Sequence, residues 1–355
     1  MLKTKYTKPL SEFAIIDRFF KPLSQIKNRF SSLSNQSPDL IGDDGAVLNI
    51  PTNQQRNQQS NQQSDQQLVV ASDTLISGVH FPVDLPAEAI GYRSLATNLS
   101  DLAAMGATPA WYSLCISLAD NDADWLYAFM QGLARAARQY EITLIGGDTT
   151  HSTRLSISMQ LIGFVKTGEA LSRHGAKPGD WIYVTDNLGL AAAGLEILQG
   201  TYADYGEKQC RAMVNAFCYP QVHSKFAMEL SRLAHSAIDI SDGFAADVEH
   251  MAKASCLQAR VYVDCLPINP TLCAKRGASS AIAMALNGGD DYALCFTIDP
   301  AKQNALEKLA ATHQVKLTRV GEMRDKGVDK SSVAFWSAKE GKKLEGYRIR
   351  GYRHF

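Results

Sequence analysis

Six short acidic motifs, each set among glycines and small residues, hold the side chains best suited to chemistry in this chain. They are Gly42-Asp43-Asp44-Gly45, Ser72-Asp73-Thr74, Ser100-Asp101, Gly146-Gly147-Asp148-Thr149-Thr150, Asp239-Ile240-Ser241-Asp242-Gly243 and Gly288-Gly289-Asp290-Asp291. They fall at the ends of apolar runs, where a strand is expected to give way to a turn. Carboxylates in such number share one site only when cations neutralise them. Hard oxygen ligands favour Mg²⁺, which keeps several waters and bridges to phosphates. The pattern implies a metal-dependent enzyme acting on phosphates.

Each motif also has a plainer reading. Asp and Gly are ordinary turn residues, so Gly42-Asp43-Asp44 alone leaves a capped turn open. Ser72-Asp73-Thr74 suits an Asx or ST turn as well as a metal and a phosphate. Paired glycines at 146 and 147 let backbone N–H groups approach an anion, although a turn needs no ligand. Asn98 and Asp101, three apart in a helical pattern, are expected to share a face. Asp is a poor mid-helix residue, and the small neighbours Ala96, Ala103, Ala104 and Gly106 favour function there. Asp242 or Ser241 could be an N-cap, which leaves Asp239 unexplained. Asp120, Asp122 and Asp124 start like a calcium loop, but Trp125 and Gln131 stand where Gly and Glu are needed, so they read as a helix-start acid cluster. His80 lies close enough to Ser72–Thr74 to reach the same site, and a packed or surface histidine is the simpler reading. There is no HExxH, Walker A or GxSxG sequence.

The elements that would position these motifs mix helices and strands without strict alternation, which predicts an α+β architecture. Helical periodicity covers 88–105, 123–140, 189–199, 221–234, 244–254 and 301–312, with an amphipathic lead-in at 11–33. Strand-like runs cover 46–48, 68–71, 112–118, 142–146, 155–166, 181–185, 259–263, 293–298 and 333–336. Residues 53–67 are a Gln/Asn/Ser tract that cannot bury a core and is expected to be a solvated loop. Ser172–Asp180 is dense in turn formers, which predicts an N-terminal domain over 1–168 and a C-terminal domain over 169–355. Acidic motifs occur in both halves, so a shared site would lie between them.

The 355 residues fit two domains, with 45% apolar residues, 20% charged and zero formal net charge. That balance argues against nucleic acid as a partner, which needs a concentrated basic surface. No apolar run approaches the roughly 18–20 residues of a membrane span, and the first residues lack the apolar segment of a signal peptide. Seven scattered cysteines, an odd number without a CxxC pair, suit reduced thiols in a cytoplasmic protein.

In order along the chain, SDTLISGVHF, NLSDLAAMGA, IGGDTT, GAKPGDWIYVT, AIDISDGF and GGDDYALCF closely resemble the thiamine-monophosphate kinase family, of the aminoimidazole ribonucleotide synthetase-like superfamily. The resemblance runs from about Glu12 to Phe355. It implies an N-terminal α/β domain whose mixed sheet pairs with a second subunit in a homodimer, and a C-terminal α/β domain of the superfamily type. It also implies the last step of thiamine diphosphate biosynthesis, ATP + thiamine monophosphate → ADP + thiamine diphosphate. Asp44, Ser72, Asp73, Asp101, Asp148 and Asp239 match the family's magnesium positions, and Asp242 a further one. Transfer chemistry would fall to Asp44, Asp73, Asp101 and Asp242. Gly147, Asp148, Arg173 and Ser241 match ATP contacts, and His80, Asp290 and Tyr352 match positions near thiamine phosphate. The family usually has Glu where this chain has Asp290, and Gly where it has Asp186-Asn187. Among sister enzymes, selenophosphate synthetase calls for a reactive N-terminal Cys, whereas the first here is Cys115. A hydrogenase-maturation relative calls for a C-terminal Cys, and this sequence ends in Phe355. A non-catalytic nucleotide-binding relative should have lost several carboxylates, and none of the matched positions has lost one.

Overall fold

A computed structural model describes residues 43–50, 65–201, 204–327 and 331–352, together with Ala14, Ile16 and Lys21. Apart from those three residues, the helix expected over 11–33 lies outside the described residues, as do Gly42, 53–64 and Phe355. Strands β1 (Ala46–Asn49), β2 (Gln66–Ile76), β3 (Thr108–Leu118), β4 (Thr143–His151) and β5 (Ser156–Lys166) form one sheet in the order β1-β2-β5-β3-β4. Its neighbours are antiparallel except β3 and β4, which run parallel. Helix α1 (Ala87–Ala104) packs on β2 and β5, and α2 (Ala123–Gln139) packs on α1. Asp122 caps α2 by accepting from the backbone N–H groups of Asp124 and Trp125, so the acidic run at 120–124 starts a helix.

The second sheet contains β6 (Trp181–Thr185), β7 (Ala234–Asp239), β8 (Leu257–Tyr262), β9 (Leu294–Ile298), β10 (Leu317–Asp325), β11 (Val333–Ser337) and β12 (Lys342–Lys343). Their order is β12-β11-β8-β10-β6-β9-β7, with only β11 and β8 parallel. Around it lie α3 (Leu190–Leu198), α4 (Glu207–Cys218), α5 (Ser224–Leu230), α6 (Phe244–Ala254), α7 (Pro270–Arg276), α8 (Ala278–Asn287) and α9 (Gln303–His313). Ile238, Ile240, Phe244, Val248 and Val261 make a core between this sheet and α6. On its other face Tyr183 and Phe296 stack at 5.8 Å and merge with the core of the first sheet.

Helix α1 is the element both halves share. Its sequence, AEAIGYRSLATNLSDLAA, carries Arg93, Ser94, Thr97, Asn98, Ser100 and Asp101 on one face, yet every residue except Glu88 and Asp101 is buried, so its polar side is enclosed as well as its apolar one. Sheet strands lie on one side of it, α2 on another, and α4, α5, β7 and β9 on a third. Glycines let α1 and α2 touch backbone to backbone. A Cβ at Gly132 would sit 1.8 Å from the Glu88 carbonyl oxygen, and one at Gly91 would sit 2.1 Å from that of Phe129.

Helix α6 and strand β6 have the bounds that periodicity predicts. The helix expected over 221–234 is confined to Ser224–Leu230, and α4, α7, α8, β7 and β10 were not expected at all. Two motifs expected beyond strand ends lie inside strands: Ser72–Thr74 belongs to β2 and Gly146–Thr150 to β4. The open face of this sheet tolerates alternating polar side chains, so loss of apolar character does not mark a strand end there. The predicted 53–67 loop also loses its last two residues to β2. Buried Gln67 donates to Asn49 Oδ1 at 2.7 Å and accepts from the Gly168 N–H at 3.1 Å.

Because the α1–α2 contact has no room for a side chain, Gly132→Val should destabilise the protein by at least about 1–3 kcal/mol. A lowered thermal midpoint would record this, and an unchanged one would contradict the close approach.

Candidate active site

Three of the six motifs deliver carboxylates to one point. Asp44 precedes β1, Asp101 lies on α1 and Asp239 ends β7, and each offers an oxygen within 4.8 Å of the others. Burial raises all three above the ordinary carboxylate value. For Asp101, repulsion from Asp239, Asp44 and Asp73 adds to desolvation. Asp239 is pushed up to about 7, mainly by desolvation and then by Asp44, against a lowering hydrogen bond from Ser100. Arg173 opposes the rise at Asp44 through an ion pair, and its backbone N–H donates to Asp43 Oδ1 at 2.8 Å. One arginine does not balance this set, and Asp44 Oδ2 is buried without a hydrogen-bond partner. An orphaned buried oxygen amid converging carboxylates is what a hard divalent cation satisfies, so the donor set fits Mg²⁺.

The cluster forms one wall of a cavity of about 840 Å³ between the two sheets. Ser72, Asp73, Arg173, Ser241 and Asp242 border it, as do His80, Asp290 and Tyr352. His80 Nδ1 accepts from the Ile76 N–H at 2.9 Å, and its ring lies 6.4 Å from that of Tyr352. The Tyr352 N–H donates to the Asp242 carbonyl at 3.0 Å, which ties the last described residues to the acidic loop. The 288–292 loop is bound to the same place, because Asp290 N–H donates to Ser241 O and Tyr292 N–H to Ile240 O.

Two predicted residues are not brought to the cluster. Gly147 and Asp148 lie on β4, and Thr74, Ser158, Cys115 and Asp148 form one transverse row. Asp73 belongs to the adjacent row, with Met159, Leu114 and Gly147, so its side chain points to the opposite face. Within this chain Asp148 stands on the open face, and Asp73 on the face toward α1. A second hollow of about 620 Å³ on that open face shares Ser72, Asp73 and His80 with the first. Gly147 also has a steric reason to be glycine, since a Cβ there would lie 1.7 Å from the Leu114 carbonyl oxygen.

The sequence reading missed several contributors. Thr97 borders the cavity, whereas Asn98 is sealed inside with Nδ2 donating to the Ser94 carbonyl at 2.9 Å. His250 and Lys253 of α6 line the cavity one turn apart. Buried Asp247 accepts from the Gly243 N–H at 3.1 Å and braces the acidic loop. Arg93 of α1 is fully buried and paired with Asp290, and its signal was that it is the one cationic residue of that helix, one turn before Thr97 and two before Asp101. Asp291 does not face the ligand space. It accepts from the N–H groups of Gly189 and Ala191 at the start of α3, and burial pushes it up to about 7. Asp186 takes a left-handed φ of 57° and pairs with His223 Nε2 at 2.6 Å.

The family model of the AIR synthase related protein N-terminal domain matches residues 42–165, and that of the C-terminal domain matches 177–334. The chain is 40% identical over 312 residues to a thiamine-monophosphate kinase of Escherichia coli, covering 88% of this chain and 90% of that protein. It is similar to a crystal structure of thiamine-monophosphate kinase from Stenotrophomonas maltophilia, with TM-score 0.73, 38% identity and coverage of 94% and 98%. It is also similar to AaThiL complexed with AMPPCP and TMP, with TM-score 0.78, 27% identity and coverage of 99% and 100%.

A carboxyl raised by burial keeps its proton in the folded chain above the pH at which the unfolded chain releases it. Its stabilising contribution is full below 3.8 and is lost as the pH rises to about 7. Without divalent metal the thermal midpoint should fall between pH 5 and 7, and Asp239→Asn should reduce that fall by about 3 °C or more. Added Mg²⁺ should raise the neutral-pH midpoint of the native chain more than that of the variant. Equal slopes and equal Mg²⁺ responses would remove Asp239 from the cluster.

Proposed function

The chain belongs to the thiamine-monophosphate kinase family of AIR synthase related proteins, and we propose that the cavity between its sheets transfers the γ-phosphoryl group of ATP directly to thiamine monophosphate. It is an ATP-dependent kinase whose products are thiamine diphosphate and ADP. The observation that carries the mechanism is the convergence of Asp44, Asp101 and Asp239 beside Arg173 in a cavity large enough for two substrates.

The acceptor is a phosphate monoester with a second pKa of about 6, so it arrives largely ionised and needs no base to become a nucleophile. The barrier lies in bringing two anionic phosphates together. A magnesium ion held at the carboxylates would supply the positive charge that offsets that repulsion. Asp44, Asp101 and Asp239 would hold it, with Asp73, Asp242 and Ser72 adjoining. Arg173, fixed by Asp43 and Asp44, holds a guanidinium toward the transferring phosphate and supplies directed N–H donors. Ser241 and the Asp239–Gly243 loop adjoin the nucleotide phosphates. At the other end His80, Asp290 and Tyr352 receive the acceptor. Direct in-line transfer follows from holding both phosphates in one orientation rather than from a covalent enzyme intermediate.

Asp148, also in the metal and ATP set, and Gly147 belong to an assembly of two chains in this proposal. Strand β4 is exposed along its whole length, and Trp111, Leu144 and Ile145 are 40%, 47% and 57% exposed. A long uncovered edge with apolar side chains is a liability that pairing with a second copy removes. Homodimerisation through this sheet would cover the face that carries Asp148. No helix among the described residues is long and apolar enough to cross a membrane, and a cytoplasmic setting suits an ATP-consuming reaction and seven free cysteines.

Incubation of the protein with Mg-ATP and thiamine monophosphate should yield equal amounts of thiamine diphosphate and ADP on anion-exchange chromatography. ADP with free phosphate alone would mean that the acceptor is wrong. Asp73→Ala should lower turnover by about 10²–10³-fold or more, and near-normal turnover would overturn the shared carboxylate site. Ile145→Arg should convert a dimer to a monomer in light-scattering chromatography, whereas an unchanged mass would exclude β4 from the interface.

A further inference from the structure

The 288–292 loop carries two consecutive acids with different partners. Asp291 caps α3, and Asp290 reaches a guanidinium sealed in the protein. Arg93 is 1% exposed. Its guanidinium carbon lies 4.0 Å from the Phe217 ring centroid and 5.4 Å from that of Tyr292, and Nη1 donates to the Phe217 carbonyl at 2.6 Å. Asp290 is its ion-pair partner, and a cation in so dry a place needs one.

Both contacts to the Asp290 carboxylate fall on the same atom. Arg93 Nη2 and the Tyr292 hydroxyl, the latter at 3.3 Å, donate to Oδ1. Among the described residues no side chain or backbone group donates to Oδ2, and Asp290 borders the large cavity with its side chain 25% exposed. The backbone holds the same pose: Asp290 has φ 61° and Tyr292 φ 48°, left-handed conformations that non-glycine residues take only when surrounding contacts hold them. The hydrogen bonds from Asp290 and Tyr292 to the 239–243 loop supply some of those contacts.

We infer that Arg93 is a positioning residue for the acceptor: it holds Asp290 by one oxygen so that the other accepts an N–H donor of the substrate. This rests on the kinase reading above, where the acceptor carries an aminopyrimidine. The ion pair cancels the charge of Asp290, so the cavity meets a directed acceptor atom rather than a free anion. Selection then comes from hydrogen-bond direction, and a donor-bearing ring is preferred over a bare cation. Arg93 and Asp101 lie eight residues apart on α1, about 12 Å along the helix axis. One rigid helix thus spaces the recognition end from the phosphate end.

The test is steady-state kinetics on Arg93→Lys, Asp290→Asn and the double variant Arg93→Met/Asp290→Asn. In Asp290→Asn the amide oxygen should stay with Arg93 and turn the NH₂ group toward the cavity, replacing an acceptor with a donor. Each single variant should raise KM for thiamine monophosphate about tenfold. KM for ATP and kcat should stay within about twofold. The double variant should be no worse than the worse single one, because both substitutions break the same contact. It also leaves no buried charge unpartnered, so with Asp290→Asn it decides the question even if Arg93→Lys fails to fold. An unchanged KM for thiamine monophosphate in the folded single variants, or effects that multiply in the double variant, would overturn the inference. Failure of the native chain to form thiamine diphosphate would instead sink the kinase reading.

Discussion

Mutual repulsion among buried carboxylates is the constraint around which this chain is arranged. Asp44, Asp101 and Asp239 come from three distant stretches and converge within 4.8 Å, where burial raises all three pKa values and neighbouring carboxylates, Asp43 beside Asp44 among them, add to the rise. A fold whose aim was stability alone would replace such a cluster with apolar side chains. Its retention at the edge of a cavity reflects the task of binding multiply charged phosphates through cations. The surroundings limit the cost without removing it: Arg173 is pinned across Asp43 and Asp44, and Ser100 supports Asp239.

Helix α1 makes that arrangement possible. It is enclosed on nearly every side, so its rotation and translation are set by close packing rather than by solvent-facing preference. The glycine contact with α2 fixes one side, and the second sheet's β7 and β9 fix another. Asp101 can therefore be held beside Asp239 of β7, and Arg93 beside Asp290 of the loop before β9. The site lies between the halves because this one helix belongs to the cores of both.

The first sheet separates two kinds of chemistry by its faces. Residues at odd positions of β2 point toward α1, and they include Val69, Ala71 and Leu75 as well as Asp73. Even positions carry Ser72 and Thr74 to the open side, Thr74 in the row that ends at Asp148 and Ser72 in the one that ends at Gly146. The two hollows meet around Ser72, Asp73 and His80, so the strand acts as a partition with a passage at one end.

The sequence by itself determined the chemistry and the class of fold. Asp44, Asp101 and Asp239 stand out because carboxylates beside small residues are poor surface residues and poor helix residues, and their order along the chain carries the family. Helix α6 and strand β6 were legible to the residue because their apolar periods run without interruption. Strand β10 was not, since Arg319, Gly321, Glu322 and Arg324 break its pattern and Glu322 is satisfied by arginines from β8 and β10. Only the tertiary structure decided which aspartates meet. Local spacing makes Asn98 the partner of Asp101, but enclosure of α1 turns Thr97 to the cavity instead. Strand register sends Asp73 and Asp148 to opposite faces, and Arg93 finds Asp290 across 197 positions. These pairings depend on long-range packing, which local sequence patterns do not encode.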